Sequence, residues 1–186
     1  MADKEFTFFY QGTFSNFYSS PFSDPAFFPA LVHGDKYRKV DGIRFINVEQ
    51  YMHACKALVC GDMDVFHKIM EESDPKEHKK LGRQVTPYDD DLWKSVARQV
   101  VTRGCWLKFM QNKDIWADLD LTGDSLLVEC APRDTRWGIG MGINNSKCAN
   151  KNKWRGTNWL GYCLTEAREH IRQGTEPAMP EINIAK

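Results

Sequence analysis

Glu49, His53 and Lys56 follow one another at spacings of four and three in the stretch NVEQYMHACKA, residues 47–57. On a helix, neighbouring residues lie about 100° apart, so these three share one stripe. A carboxyl and an imidazole on such a stripe can move protons. An amine there can attack carbon once desolvation strips its charge. Val48, Tyr51, Met52, Cys55 and Val59 form an apolar stripe beside them, and Gln50, Ala54 and Ala57 leave a third face small enough for close packing. Glu49 and Lys56 are two turns apart, roughly 10 Å along the axis, so they need not pair and can contact opposite parts of one ligand. The plainer alternative is a surface stripe with a weak Glu49–His53 contact, worth a few tenths of a kcal/mol.

Three further stretches combine planar side chains with hydrogen-bonding groups. In APRDTRWGIGMG, Asp134 precedes Trp137 by three residues, and Gly138, Gly140 and Gly142 follow. A dinucleotide-binding turn needs a strand directly before and a helix directly after, and INNSKCANKNK is a poor helix. Glycines beside Trp137 suit a backbone that approaches a planar ligand closely, or a tight turn with Trp137 in the core. In WRGTNWLG, Arg155 stands just before a helix that opens near residues 157–159. Free amides at that start, with a guanidinium, make an anion or phosphate site flanked by Trp154 and Trp159; an ordinary cap with packed tryptophans is the alternative. In GTFSNFYSSPF, Asn16 with Phe14, Phe17 and Tyr18 suits base or nucleotide recognition, or a hydrophobic plug. Lys80, Arg83 and Lys108, in KKLGR and KFMQN, either add positive potential near a phosphate or belong to a solvated face.

These residues must be positioned by a chain of 186 residues, the size of one domain, with 42% hydrophobic and 27% charged residues. Its 25 basic and 25 acidic residues cancel. That argues against a grip on long nucleic acid through bulk charge and leaves room for a local basic pocket. The six cysteines lack C-x-x-C spacing and read as reduced, structural residues, several of them inside apolar runs. The histidines are scattered, so no metal is expected. No window approaches the ~18 apolar residues of a membrane span, and a cytoplasmic or nuclear location is expected.

FTFFYQG reads as a first or edge strand, residues 13–30 as an ordered aromatic loop, and KYRKVDGIRFIN as a hairpin about Asp41-Gly42. A helix over about 47–60 follows, capped by Asn47 and stopped by Gly61. Further helices are expected over DMDVFHKIMEES from Asp62, over PKEHKKLGRQV, and over residues 89–112 with a bend near Gly104. Residues 114–121 form a short helix, SLLVEC a buried strand, 131–158 a long polar loop, and 158–173 a closing helix with Gly174 as its cap. The fold class is α+β: one mainly helical domain with a small β-sheet over 1–186, its core about 6–173 and a loosely attached tail at 174–186.

FSNFYSSPF, VEQYMHACKA, LGR, KFMQN, LTGDSLLVECAPRDTRWGIGMG and WRGTNWLG, in this order, closely resemble the NADAR family (NAD- and ADP-ribose-related) from about residue 8 to 172. Two departures are the long 23–43 insertion and Cys130, where a small Ala or Ser is more usual. The resemblance implies the NADAR fold and N-glycosidase activity without a cofactor. Some members remove a phosphoribosyl-type sugar from damaged riboflavin precursors; others hydrolyse ADP-ribose from the guanine amino group. The aromatic loop and the insertion favour the larger ligand, so ADP-ribose and ADP-ribosylated guanine in DNA or RNA are the expected partners, with no membrane and no obligate protein partner. A non-catalytic ADP-ribose reader is the alternative outside the enzymes.

On this resemblance Glu49 is the general acid and base, and Lys56 a nucleophile forming an imine with the opened ribose. Asp134 holds the ribose hydroxyls or orients Lys56. Arg155 and the helix start near Asn158 take the diphosphate, and Trp137 or Phe17 stacks on a base. Asn16, Tyr18, His53, Arg83, Gly138, Trp154 and Gly156 complete the expected substrate-binding set.

Overall fold

The computed structural model describes residues 5–27, the backbone of 38–39, and 42–180. Residues 28–37 of the insertion, residues 40–41 of the expected hairpin turn, and the last part of the tail, 181–186, lie outside the described residues. Among the described residues are six α-helices and five short strands. The strands form two small sheets rather than one. β1 (Phe6–Phe9) pairs in parallel with β5 (Leu126–Glu129), Phe6 facing Leu126 and Phe9 facing Glu129. β2 (Phe22–Asp24), β3 (Arg38–Lys39) and β4 (Gly42–Phe45) form an antiparallel sheet in the order β2-β4-β3.

α1 (Val48–Val59) is the centre of the molecule, and every one of its residues except Lys56 is buried. Asn47 caps it by accepting the Gln50 amide at 2.8 Å, and Gly61, at φ 77°, turns the chain away in the left-handed region that favours glycine. The Gln50 amide is satisfied inside the core: its oxygen accepts from Ile46 N at 2.9 Å and its nitrogen donates to Ile69 O at 3.1 Å. α2 (Met63–Glu71) and α3 (Pro75–Gly82) start on Asp62 and Asp74, whose carboxylates accept the Val65 and Lys76 amides.

α4 (Asp90–Gln111) crosses α1 and runs unbroken through Gly104, where the sequence suggests a bend. A Cβ at Gly104 would lie 2.8 Å from Tyr51 Cδ1, so this glycine serves close packing. α5 (Lys113–Asp120) leads to β5, and α6 (Trp159–Gln173) packs against α4 and β5 before Gly174 ends it. No helix among the described residues is long and apolar enough to cross a membrane.

The expected loose tail is held over its described part. Arg103, 2% exposed, donates Nε and Nη2 to the two oxygens of buried Asp24 at 3.0 and 2.8 Å. Its Nη1 reaches Glu176 Oε1 at 2.7 Å and Pro177 O at 2.9 Å. Tyr51 OH donates to Asp24 Oδ2 at 2.8 Å, and Gln99 Nε2 donates to Ala178 O at 3.1 Å. The physical reason is charge: a buried guanidinium needs more acceptors than one carboxylate supplies, and the tail brings two.

Candidate active site

The polar stripe of α1 faces a cavity of about 110 Å³. Glu49, His53 and Met52 line it from α1, and Ser15, Asn16 and Phe17 from the loop after β1. Lys79 of α3, Glu129 at the end of β5, Asp134 and Trp137 of the following loop, and Leu160 of α6 close it. Glu49 and His53 are 4% and 8% exposed and meet at 3.1 Å between Oε1 and Nε2. This stripe therefore does not lie on the surface. Glu49 is in the first turn of α1, where the helix's partial positive charge favours an anion. α3 presses on the other edge of the imidazole: a Cβ at Gly82 would lie 2.0 Å from His53 Nδ1.

The aromatic loop is pinned from both sides. Asn16 O accepts the Glu49 amide at 3.0 Å. Lys108, 1% exposed, donates from Nζ to Ser15 O at 3.0 Å, and burial pushes its pKa down to about 8. So Lys108 acts from behind the loop as a support, not on a solvated face. The buried Asn16 Oδ1 has no hydrogen-bond partner among the described residues.

Glu129 is a functional candidate that the sequence reading missed. Burial raises its carboxyl pKa to about 8, the nearby Asp134 and Glu49 carboxylates push the same way, and Lys79 opposes them. Its Oε2 is buried without a hydrogen-bond partner among the described residues. The backbone around it is firmly tied: Glu129 N donates to Asn158 Oδ1 at 2.9 Å and Ile139 N donates to Glu129 O at 2.9 Å. The available signal was an acid closing an otherwise apolar strand, LLVE, because a strand end aims a side chain at whatever lies past the sheet. Lys79, also missed, places Nζ 3.8 Å from Asp134 Oδ2. Asp134 Oδ1 accepts the amides of Arg136 and Trp137 at 3.1 and 2.8 Å, which fixes the turn carrying Trp137. Trp137 in turn stands edge-on to Trp159.

Glu49, His53, Asn16, Phe17, Asp134 and Trp137 are thus brought together, and the remaining expected residues are not among the cavity lining. Lys56 donates from Nζ to Gly82 O at 2.6 Å and lies 4.2 Å from the centre of the Tyr88 ring, and burial lowers its pKa. Tyr18, Arg83 and Arg155 are exposed. Trp154 packs edge-on against Phe6 and donates Nε1 to Cys148 O at 2.7 Å.

Asn158 and the start of α6 depart most from expectation. Asn158 is fully buried and in the left-handed region at φ 54°. Its side chain clamps β5, accepting from Glu129 N and donating to Leu127 O at 2.9 Å. The Asn158, Trp159 and Leu160 amides donate to the carbonyls of Gly138, Arg136 and Trp137. The helix start therefore offers no open anion site there, because the 136–138 turn already occupies its first donors. Gly138 and Gly156 permit this packing: a Cβ at Gly156 would lie 2.3 Å from Gly138 O, and one at Gly138 2.9 Å from the Ala131 Cβ.

Two carboxyl groups in one cavity, one raised to about 8 by burial and one at a helix start beside an imidazole, form an acid–base pair suited to hydrolysis. The chain is similar to several known proteins, among them one named as an N-glycosidase. It is 38% identical over 149 residues to the N-glycosidase R617 of Acanthamoeba polyphaga mimivirus, covering 80% of this chain and 85% of that one. It is 37% identical over 172 residues to the protein irg-1 of Caenorhabditis elegans, covering 90% and 80%. The NMR structure of the E. coli protein YbiA superposes with a TM-score of 0.67 at 29% identity, over 94% of this chain and 88% of that one. The NADAR domain model matches residues 7–172, and the chain belongs to the NADAR family.

Proposed function

We propose that this protein is an N-glycosidase that releases ADP-ribose from the amino group of guanine. The observation that carries the reading is Glu129, a carboxyl held at the cavity with its pKa raised to about 8. At neutral pH such a group keeps its proton and can give it to the departing nitrogen. Glu49, backed by His53, takes a proton from the water that attacks the anomeric carbon. The C–N bond breaks, a C–O bond forms, and the nitrogen leaves with the proton of Glu129. The proton taken by Glu49 restores the starting state once it has passed to Glu129. At about 110 Å³ the cavity takes one small ring, far less than the ~300–1,000 Å³ that encloses a whole drug-sized ligand. That fits a ribose with its flanking groups outside, Phe17 and Trp137 offering flat surfaces beside it. Names of relatives such as the N-glycosidase YbiA of Escherichia coli, 31% identical over 166 residues, support the bond type.

A covalent route through Lys56 is the second reading. It is favoured by the lowered pKa of that amine and by its place one turn beyond His53, and it requires Nζ to leave Gly82 O. Incubation with an oligonucleotide carrying ADP-ribose on guanine, followed by mass measurement, should yield free ADP-ribose and the unmodified strand. Release only from a phosphoribosylated pyrimidine intermediate would transfer the reading to that substrate, and no release from either would remove it. Borohydride added during turnover separates the routes, since an imine leaves a sugar on Lys56.

A further inference from the structure

The zero net charge of the chain conceals a segregated segment. From Thr135 to Thr165 there is no Asp or Glu, while Arg136, Lys147, Lys151, Lys153 and Arg155 contribute five positive charges. The last four are exposed. Among the described residues none of these four has an acidic partner. Four cations without an acidic partner within nine residues repel one another, a cost that the Tyr162 ring, 5.3 Å from Lys151 Nζ, offsets only in part.

The segment is also held firmly. Two short 3₁₀ turns, Ser146–Ala149 and Lys151–Lys153, are capped by the side chains of Asn145 and Asn150, which accept the Lys147 and Asn152 amides at 2.9 and 3.0 Å. Buried Cys148 and the packed Trp154 anchor it from beneath, joined by the Trp154 Nε1 to Cys148 O bond. The lysines are thus displayed on a fixed backbone. The segment also connects to the cavity by two hydrogen bonds: Ile139 N donates to Glu129 O, and Arg155 N donates to Ile139 O, each at 2.9 Å. The backbone that carries Arg155 is therefore tied to the strand end that carries Glu129.

We propose that Lys147, Lys151, Lys153 and Arg155 form a docking surface for the phosphate backbone of a single-stranded nucleic acid whose modified guanine presents its attached ribose to the cavity. This rests on the N-glycosidase reading above and sharpens it: the substrate is a modified base within a strand, not a free nucleotide. A single strand fits because a guanine held in a base pair would first have to be unpaired before a ribose on its amino group could reach so small a cavity.

The test compares one ADP-ribosylated guanine in two settings, as a nucleoside and within a single-stranded oligonucleotide. The wild type is set beside the triple variant Lys147→Glu, Lys151→Glu, Lys153→Glu, with thermal melting to confirm that both are folded. The wild type should prefer the oligonucleotide. Three or four phosphate contacts should weaken that preference roughly 20- to 50-fold between 50 and 200 mM salt. The variant should lose both the preference and the salt dependence while keeping its kcat on the nucleoside. Equal oligonucleotide kcat/KM in variant and wild type would overturn the proposal. If neither protein acts on either substrate, the activity reading falls alone, and anisotropy with an unmodified labelled oligonucleotide decides the surface. Salt-sensitive binding lost in the variant supports it. No binding, or binding only to phosphatidylserine vesicles, overturns it.

Discussion

The side-chain oxygen of Asn158 accepts the amide of Glu129 at 2.9 Å, so the residue expected at a phosphate instead sets the position of the acid. The same side chain donates to Leu127 O at 2.9 Å. Asn158→Ala leaves a buried donor and a buried acceptor unmet and should cost about 2–4 kcal/mol in urea unfolding. Asn158→Asp keeps the acceptor but turns a donor into an oxygen facing Leu127 O, and should be at least as damaging. A stability within 0.5 kcal/mol of wild type, in order of magnitude a neutral surface change, would contradict the clamp.

Glu129 should govern the alkaline side of activity. Its folded pKa is raised from 4.5 to about 8, so as a proton donor it is competent below about 8, and kcat/KM should fall as pH rises through that value. Stability follows the same sign. The unfolded chain releases this proton near 4.5, and the contribution, fully present below that pH, is lost as pH rises through about 8. Glu129→Gln should lower kcat about 10²- to 10⁴-fold and flatten this part of the stability profile. A retained alkaline limb in residual activity would assign it to another group.

Gly82→Ala should disturb the site from behind. Its Cβ would lie 2.0 Å from His53 Nδ1, so the imidazole or α3 must shift, and a displaced imidazole strains its 3.1 Å contact with Glu49. We expect a loss of about 1–3 kcal/mol, the range for an overpacked core, with a fall in kcat larger than any change in KM. Normal kcat would show that His53 is dispensable for positioning Glu49.

Arg103 and the tail should separate in their effects. Arg103→Leu leaves Asp24 buried without its cation and should cost about 3–5 kcal/mol. Truncation after Thr175 removes Glu176, which is half-exposed, the Pro177 and Ala178 carbonyls, and Met179, which packs against the core. Solvent screening discounts that ion pair, so about 1–2 kcal/mol is expected, with kcat unchanged. A truncation as costly as Arg103→Leu would make the tail integral to the core.

The α1 helix was legible in the sequence, including its Asn47 cap and its Gly61 stop, because caps and 3.6-residue periodicity are local properties. The same holds for α4, α6 and the β5 strand, and for the family, whose motif order spans the chain. Asn16, Phe17, Glu49, His53, Asp134 and Trp137 were picked out by residue type, and they converge on one cavity.

What residue type could not supply was partnership. Glu129 resembles any strand-ending acid until Asp134, Glu49 and burial surround it. Lys56 resembles a free amine on a helix until Gly82 O meets it at 2.6 Å, and Asn158 resembles a cap until β5 is found behind it. The sequence by itself determined which elements form and which side chains are available to do chemistry, since those depend on neighbours a few residues apart. Only the tertiary structure decided which of them share a cavity, which are held by backbone carbonyls and which acid keeps its proton. Hydrogen bonding and desolvation act between atoms close in space whatever their separation along the chain.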